Sequence, residues 1–328
     1  MENVNFERKP TLENDKELRE KLKQKVRLFL DEQSEMIEDD KLSKILDETF
    51  EQNEILENFF ADKNSRATSY DKYKKSFKVG NEEKVSIGNI VASRRWGINI
   101  NLPETLENFG EGKKVRKIMT ESILNDLICQ KLNKEIATTL VTETKNKDSL
   151  KSNAYSKIAE RSGAENKQLG VLAEQIVIGV LEGLSIDKPD LGFNIIEANA
   201  YQDVQNKIDF IIHTKDKKRG AGINRQETVF EEKSTGIQFT INKSETEHKL
   251  EQISKVKERG INIDDIIYVD IDNKILQTAV REWKNKGKPI AGPWKYIPKE
   301  IKSEVLKNLF NGLLNEEQEK SLQKFAEI

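Results

Sequence analysis

From Lys167 to Leu181 the chain reads as a helix that is apolar on most of its sides, with Leu169, Val171, Leu172, Ile176, Val177, Ile178, Val180 and Leu181 interrupted by few polar residues. A helix of that kind has no face for water and must be wrapped by other elements. Glu174 sits inside it, with Val171, Val177, Ile178 and Leu181 at neighbouring helical positions. A carboxylate among such neighbours is expensive to bury alone. It needs a cation, a hydrogen-bond donor or a metal ion, or else it snorkels to a nearby Lys.

Two β-prone segments follow. In Lys207–His213, strand alternation puts Ile208, Phe210 and Ile212 on one face and Lys207, Asp209, Ile211 and His213 on the other. In Gly236–Asn242, Ile237, Phe239 and Ile241 align, and Gln238, Thr240 and Asn242 project the other way. If the apolar faces lie on the same side, Asp209 and Gln238 share the polar face. The charged connection 214–235 is expected to be an extended hairpin loop. Ser244 and Glu247 have capping-box spacing for a helix carrying Leu250, Ile253 and Val256. Ile266–Ile271 reads as a buried strand and Asn273–Trp283 as a helix. This alternation of helices and strands implies an α/β layer fold with a mixed sheet flanked by helices.

The region 1–150 has a different character and is expected to be mainly helical, with a short β segment. Apolar residues recur at helical spacing from Asn14 to about Phe60 and again from Lys114 to Leu140. Residues 61–84 look like a connector, and Val85–Leu102 like one or two strands. The polar run 143–152 marks the boundary between 1–150 and a second domain, 151–328. Residues 1–60 carry 17 acidic and 10 basic side chains, against 40 and 45 in the remainder, so the surplus of positive charge lies in the later part.

Composition excludes several chemistries. One Cys (Cys129) rules out a disulfide scaffold and a cysteine-cluster metal site, and two His (His213, His248) rule out a three-histidine zinc site. Cys129, beside Leu127 and Ile128, reads as a core thiol. The first residues have no apolar core of a secretory signal, and no run approaches 18 apolar residues. A cytoplasmic protein without a membrane partner is the expectation. Trp283, Lys284, Lys286, Lys288, Trp294, Lys295 and Lys299 interleave aromatic and basic side chains; they either stack bases and neutralise phosphates or form a lysine-rich surface whose Trp rings point inward. Arg94 and Arg95 either contact nucleic acid or form an ordinary strand-edge pair.

The order of a helix with Glu174, a strand, a strand with Asp209, a strand with Gln238-x-Thr240, a helix and a strand resembles the PD-(D/E)XK nuclease superfamily, the restriction-endonuclease-like fold, over residues 160–285. The resemblance implies a metal-dependent nuclease acting on nucleic acid, DNA rather than RNA, with Mg²⁺ or Mn²⁺ as cofactor and a homodimer as one assembly. It assigns Glu174, Asp209 and Gln238 as metal ligands, with Asp209 and Gln238 in the catalytic motif. Thr240 departs from the family by standing where the motif Lys belongs, and it cannot supply that charge. Lys207, two residues before Asp209, is the first candidate to replace it, ahead of Lys243, Lys249 and Lys233. Glu231-Glu232-Lys233 is a second spelling of the tripeptide. Further carboxylates at Glu197 and Asp203 would add ligands, or serve as a solvated strand residue and a turn residue. His213, at the strand end, is either a surface histidine or a phosphate contact. The alternative to an enzyme is a nuclease-fold protein that has lost catalysis and binds nucleic acid or protein. The first reading requires three oxygen-bearing side chains within about 5 Å of one point, as ligands at about 2.0–2.6 Å from one ion demand.

Overall fold

The computed structural model describes residues 16–30, 37–51, 65–73, 75–102, 110–143, 169–219, 228–261 and 263–326. The first two helices are α1 (Lys16–Leu30) and α2 (Asp39–Phe50). Leu18, Leu22, Val26, Phe29 and Leu30 bury one stripe of α1, and Ile45, Leu46 and Phe50 one side of α2. The single helix expected over 14–60 is therefore two, and Glu38 before α2 is extended (φ -58, ψ 141).

Residues 65–85 are strands rather than a connector. β1 (Ser65–Asp71), β2 (Ser76–Val79) and β3 (Glu82–Val85) form an antiparallel meander, and β4 (Ile100–Asn101) joins parallel to β1, giving the order β3-β2-β1-β4. Of the one or two strands expected over Val85–Leu102, β4 forms near the end, but the segment before it is α3 (Ile87–Ser93) and a 3-10 turn at Arg94–Trp96. Local capping overrides the β-branched residues here, because Ser86 Oγ accepts the Asn89 N–H at 3.0 Å. The long helix α4 (Glu111–Glu143) carries Val115, Met119, Leu124, Ile128, Leu132 and Ile136 into the core shared with α1, α2 and the first sheet. Burial pushes the Cys129 thiol well above its ordinary pKa, as expected of a core thiol. The proposed boundary at 143–152 lies almost wholly outside the described residues.

The apolar helix is α5 (Leu169–Asp187). It is long and apolar enough to cross a membrane, but most of it is buried within the fold. After it come β5 (Phe193–Glu197), α6 (Ala200–Asn206), β6 (Phe210–Arg219), β7 (Thr228–Thr240), α7 (Thr246–Glu258), β8 (Asp265–Asp270), α8 (Asn273–Asn285), α9 (Lys299–Leu309) and α10 (Glu316–Ala326). The strands form a mixed sheet in the order β5-β6-β7-β8, antiparallel from β5 to β7, with β8 parallel to β7. The protein is thus α/β. The expected 214–235 loop is largely a paired ladder, with Lys215 opposite Glu232 and Arg219 opposite Thr228. The Ser244 capping box does not form. A 3-10 turn occupies Lys243–Glu245, and Asn242 Oδ1 accepts from Ser244 Oγ at 2.8 Å.

Both faces of this sheet are covered. On one, Phe210, Ile212, Ile237 and Phe239 meet Ile176, Val177 and Leu181 of α5 and Leu276, Val305 and Leu309 from α8 and α9. On the other, Ile208, Ile211 and Ile266 meet Ile253 and Val256 of α7. Ile208 is therefore opposite Phe210, contrary to the expected alternation, because Lys207 takes a left-handed conformation (φ 57) and breaks the strand before it begins. Ile208 fills the space over Gly236, where an added Cβ would stand 3.0 Å from Ile208 Cδ1.

The earlier elements lock onto this layer through α5. Gly88 of α3 lies so close that a Cβ there would come within 2.2 Å of the Gly183 carbonyl oxygen. Beside it, Arg94 and Arg95 are mostly buried cations, their side chains 11% exposed, engaged in internal ion pairs rather than set at a strand edge. Arg94 binds Asp126 and Ser122, while Arg95 binds Glu197 and, at 2.9 Å, Glu182. Burial raises the Glu182 carboxyl, but the charges of Arg95 and Arg94 and hydrogen bonds from Arg95 and Ser122 overcome this and hold it down to about 2. Glu197 is thereby committed to an ion pair rather than solvated. Trp283 and Trp294 are buried, and the Trp283 indole N–H donates to the Pro289 carbonyl at 2.8 Å. Of the two readings of that segment, the lysine-rich surface with inward Trp rings is the one observed.

Candidate active site

The sheet opens where β6 leaves β7. Asp209 immediately precedes β6, and its backbone is still on the ladder, the N–H donating to Ile237 C=O at 2.8 Å and the C=O accepting from Ala198 N–H at 3.1 Å. One residue earlier the chain turns away into α6. Phe239 on β7 therefore points its N–H and C=O toward a gap. Asp209 Oδ2 takes the N–H at 2.6 Å. From the overlying helix α7, Lys249 Nζ donates to the C=O at 3.4 Å.

Gln238 follows Ile237, the partner of Phe210, so it lies across from Asp209. It pairs with Tyr268 on β8 and projects onto the α7 side of the sheet, as the alternation of β7 predicts. Only 5% of it is exposed, and its Oε1 has no hydrogen-bond partner among the described residues. A buried amide oxygen without a partner costs about 1–3 kcal/mol and calls for an explanation such as a bound ion or water. Tyr268 OH and Thr246 Oγ1 are 2.9 Å apart, which fixes the start of α7 over this spot. Thr240 is buried, and its Oγ1 accepts from Asn242 N–H at 3.3 Å, so it closes a turn.

The remaining site candidates are less convergent. Lys207 caps α6 in the left-handed conformation, so it is not two strand positions from Asp209 and the expected shared strand face does not exist. Glu174 is buried as expected, at 8% exposure. It comes from α5, under the Phe210 and Ile237 face, whereas Gln238 projects from the opposite face. Asp203 is buried within α6 rather than in a turn. Lys233 lies five residues from Gln238, about 17 Å along the strand. The Lys243 and Glu231 side chains lie outside the described residues. Lys249, ranked below Lys207 from sequence, is a cation that the described residues bring to the Gln238–Thr240 segment. No spacing rule could promote it, because its position depends on how α7 crosses the sheet.

Elsewhere on the α7 face, Leu28, Ile211, His213, Ser234, Ile261, Ile263 and Asp264 line a groove of about 360 Å³. His213 is partly buried, and its Nδ1 is 2.7 Å from Ser234 Oγ, while Asp264 Oδ2 accepts the Ser234 backbone N–H at 2.6 Å. That carboxylate oxygen orders the strand backbone rather than an imidazole, so the trio is not arranged as a Ser-His-Asp relay. No group of three or more His, Cys, Asp or Glu side chains among the described residues is arranged to hold a metal ion. A cation near Asp209 would therefore depend on the Gln238 amide and on substrate oxygens. No protein-family model, curated protein or solved structure matches the chain.

Proposed function

We propose that β5–β8 with α5 and α7 is a restriction-endonuclease-like core, and that the protein hydrolyses phosphodiester bonds in nucleic acid, DNA in the first instance, at Asp209, Gln238 and Lys249. The observation that carries this reading is the buried, unpartnered Gln238 oxygen across from Asp209. In the family order, β6 would be the second strand, with Asp209 at its mouth, and β7 the third, with Gln238 in the tripeptide. Glu174, on the preceding helix under the opposite face of the sheet, stands outside this set.

The residues fit an oxygen-liganded cation, since a carboxylate and an amide oxygen are hard donors. Mg²⁺ or Mn²⁺, when bound, supplies neutralisation of phosphate oxygens and a more acidic water. The chain's own contribution is positional. Phe239 anchors Asp209 and Lys249 on one residue, so a carboxylate and an ammonium are held at a fixed separation. Lys249 offsets the negative charge that grows on the phosphate as water adds and the P–O bond to the leaving oxygen breaks. This reading replaces Lys207 by Lys249 as the source of that charge. A homodimer would bring two such sites to the two strands of a duplex, and the location would be cytoplasmic.

A second reading rests on Thr240. Its hydroxyl is spent on a turn, so the motif position offers no cation, and the fold could serve as a nucleic-acid- or protein-binding module. The two readings separate on one experiment. Purified protein is incubated with plasmid and single-stranded substrates in Mg²⁺ or Mn²⁺ beside Asp209→Asn, which keeps an acceptor for Phe239 N–H. Cleavage by the parent and not by the variant, at equal melting temperature, supports the enzyme. Binding without cation-dependent cleavage supports the module. Equal cleavage by both sinks the site assignment.

A further inference from the structure

The β1–β2 hairpin carries an exposed aromatic ring at its tip. Tyr73, at the turn, is 88% exposed, against 45% for Leu28 and 47% for Leu250. Its backbone N–H donates to Asp71 Oδ1 at 2.9 Å, an Asx turn that fixes the local backbone. Lys72 Nζ stands 5.2 Å from the Tyr73 ring centroid. Lys75 follows, exposed and in the left-handed region (φ 48). The root of the hairpin is anchored, because Tyr70 packs on Phe77 with ring centroids 4.7 Å apart and Phe77 is fully buried. Among the described residues, Asp71 and Glu111 are the acidic groups acting on Tyr70, and one oxygen of Asp71 is committed to the turn.

An aromatic ring and the Lys72 and Lys75 ammonium groups are thus held away from the core on a hairpin rooted by the Tyr70–Phe77 contact. An acidic protein surface would use the lysines and leave the ring in water. An apolar surface would use the ring and have to desolvate the lysines. A nucleotide strand uses both, since every base has a face for stacking and every linkage a phosphate to neutralise. Stacking needs an unpaired base, which selects a single strand over an intact duplex. We infer that Lys72, Tyr73 and Lys75 form a contact site for single-stranded nucleic acid, Tyr73 stacking on a base and the lysines meeting the flanking phosphates.

The test is binding of the full chain to labelled oligothymidine, followed by fluorescence anisotropy across a salt series with divalent cations chelated. Tyr73→Ala is expected to weaken binding about tenfold while leaving the salt dependence unchanged. Tyr73→Phe retains the parental affinity. Lys72→Gln with Lys75→Gln weakens binding and reduces the salt slope by about 1.4, or about 0.7 for each phosphate that is no longer neutralised. The melting temperatures of all variants match the parent, because the substituted side chains carry no core contacts. Parental binding by both Tyr73→Ala and the double lysine variant overturns the inference. So does tighter binding of duplex that is insensitive to Tyr73→Ala, or equal binding of polyglutamate. Failure here leaves the hydrolysis reading standing, because that reading is scored by cation-dependent cleavage and Asp209→Asn.

Discussion

Asp209 and Lys249 grip the same residue from two elements: Asp209 Oδ2 accepts from the Phe239 N–H at 2.6 Å, and Lys249 Nζ donates to the Phe239 carbonyl at 3.4 Å. Each side chain replaces a ladder partner that β6 withdraws when it turns at Lys207. A break in a sheet leaves backbone polar groups that must be satisfied, and here charged side chains satisfy them. The break and the charges therefore arise together.

Lys249→Met is expected to lower the cleavage rate about 10²–10³-fold, the scale of losing one preorganised charge-stabilising donor. Lys249→Arg restores part of the rate. Lys207→Ala, at a helix cap, changes the rate less than tenfold. Single-turnover cleavage of one labelled substrate by the three variants checks the ranking. A loss confined to Lys207→Ala would return the role to that residue.

Gln238 separates stability from activity. Gln238→Leu removes a buried amide that has an unpartnered oxygen, so the cation-free protein should be equally stable or gain about 1 kcal/mol in denaturant unfolding. The same substitution should abolish cleavage and the rise in melting temperature on adding Mn²⁺. Loss of stability by several kcal/mol would mean that the amide has a structural partner, and the reading of Gln238 as a ligand would fall.

Much of the α/β half was legible because its strands are β-branched, α5 is apolar almost throughout and α8 is strongly amphipathic. Ile237, Phe239 and Ile241 fall on one face as their alternation requires. Alternation failed at Ile208, where a non-glycine residue, Lys207, adopts a left-handed conformation that composition does not announce. β1 to β3 were missed because they are short and polar, and their order comes from pairing and from the Tyr70–Phe77 contact. α3 was missed because Ile87, Ile90 and Val91 favour strands, while Ser86 capping and the Gly88–Gly183 approach decide for a helix. Asp209 and Gln238, the residues of the proposed site, were singled out from local pattern, and the register of β6 and β7 sets them across from each other. The position of Lys249 depends on tertiary packing alone.

The approach of α3 to α5 gives a sharp steric test. Gly88→Ala would drive a methyl group to 2.2 Å from the Gly183 carbonyl oxygen and 2.6 Å from Asp187 Oδ2. The helices must separate, so the cost should reach the upper part of about 1–3 kcal/mol or exceed it. Gly80→Ala is the control: it meets nothing within 4 Å but has a φ of +57, so it should cost about 1–2 kcal/mol from backbone strain alone. Urea unfolding of the two variants should rank them in that order.

The arginine network sets the acid limit of the fold. Glu182 is held down to about 2 against an ordinary value of 4.5, because the Arg95 and Arg94 charges and the hydrogen bonds from Arg95 and Ser122 outweigh the cost of burial. A depressed carboxyl adds stability that is fully present above its unfolded value and is lost as pH falls through the folded one. Its contribution, on the order of 3 kcal/mol, should therefore be intact at pH 5 and decline between about pH 4.5 and 2. Glu182→Gln removes that dependence, but it leaves Arg95 with less countercharge, so at pH 7 the variant should be less stable by about 3–5 kcal/mol. Urea midpoints measured from pH 7 to pH 2 should converge for parent and variant at the acid end. Parallel curves offset by a constant amount would show that Glu182 keeps its charge throughout, or that another group governs acid unfolding.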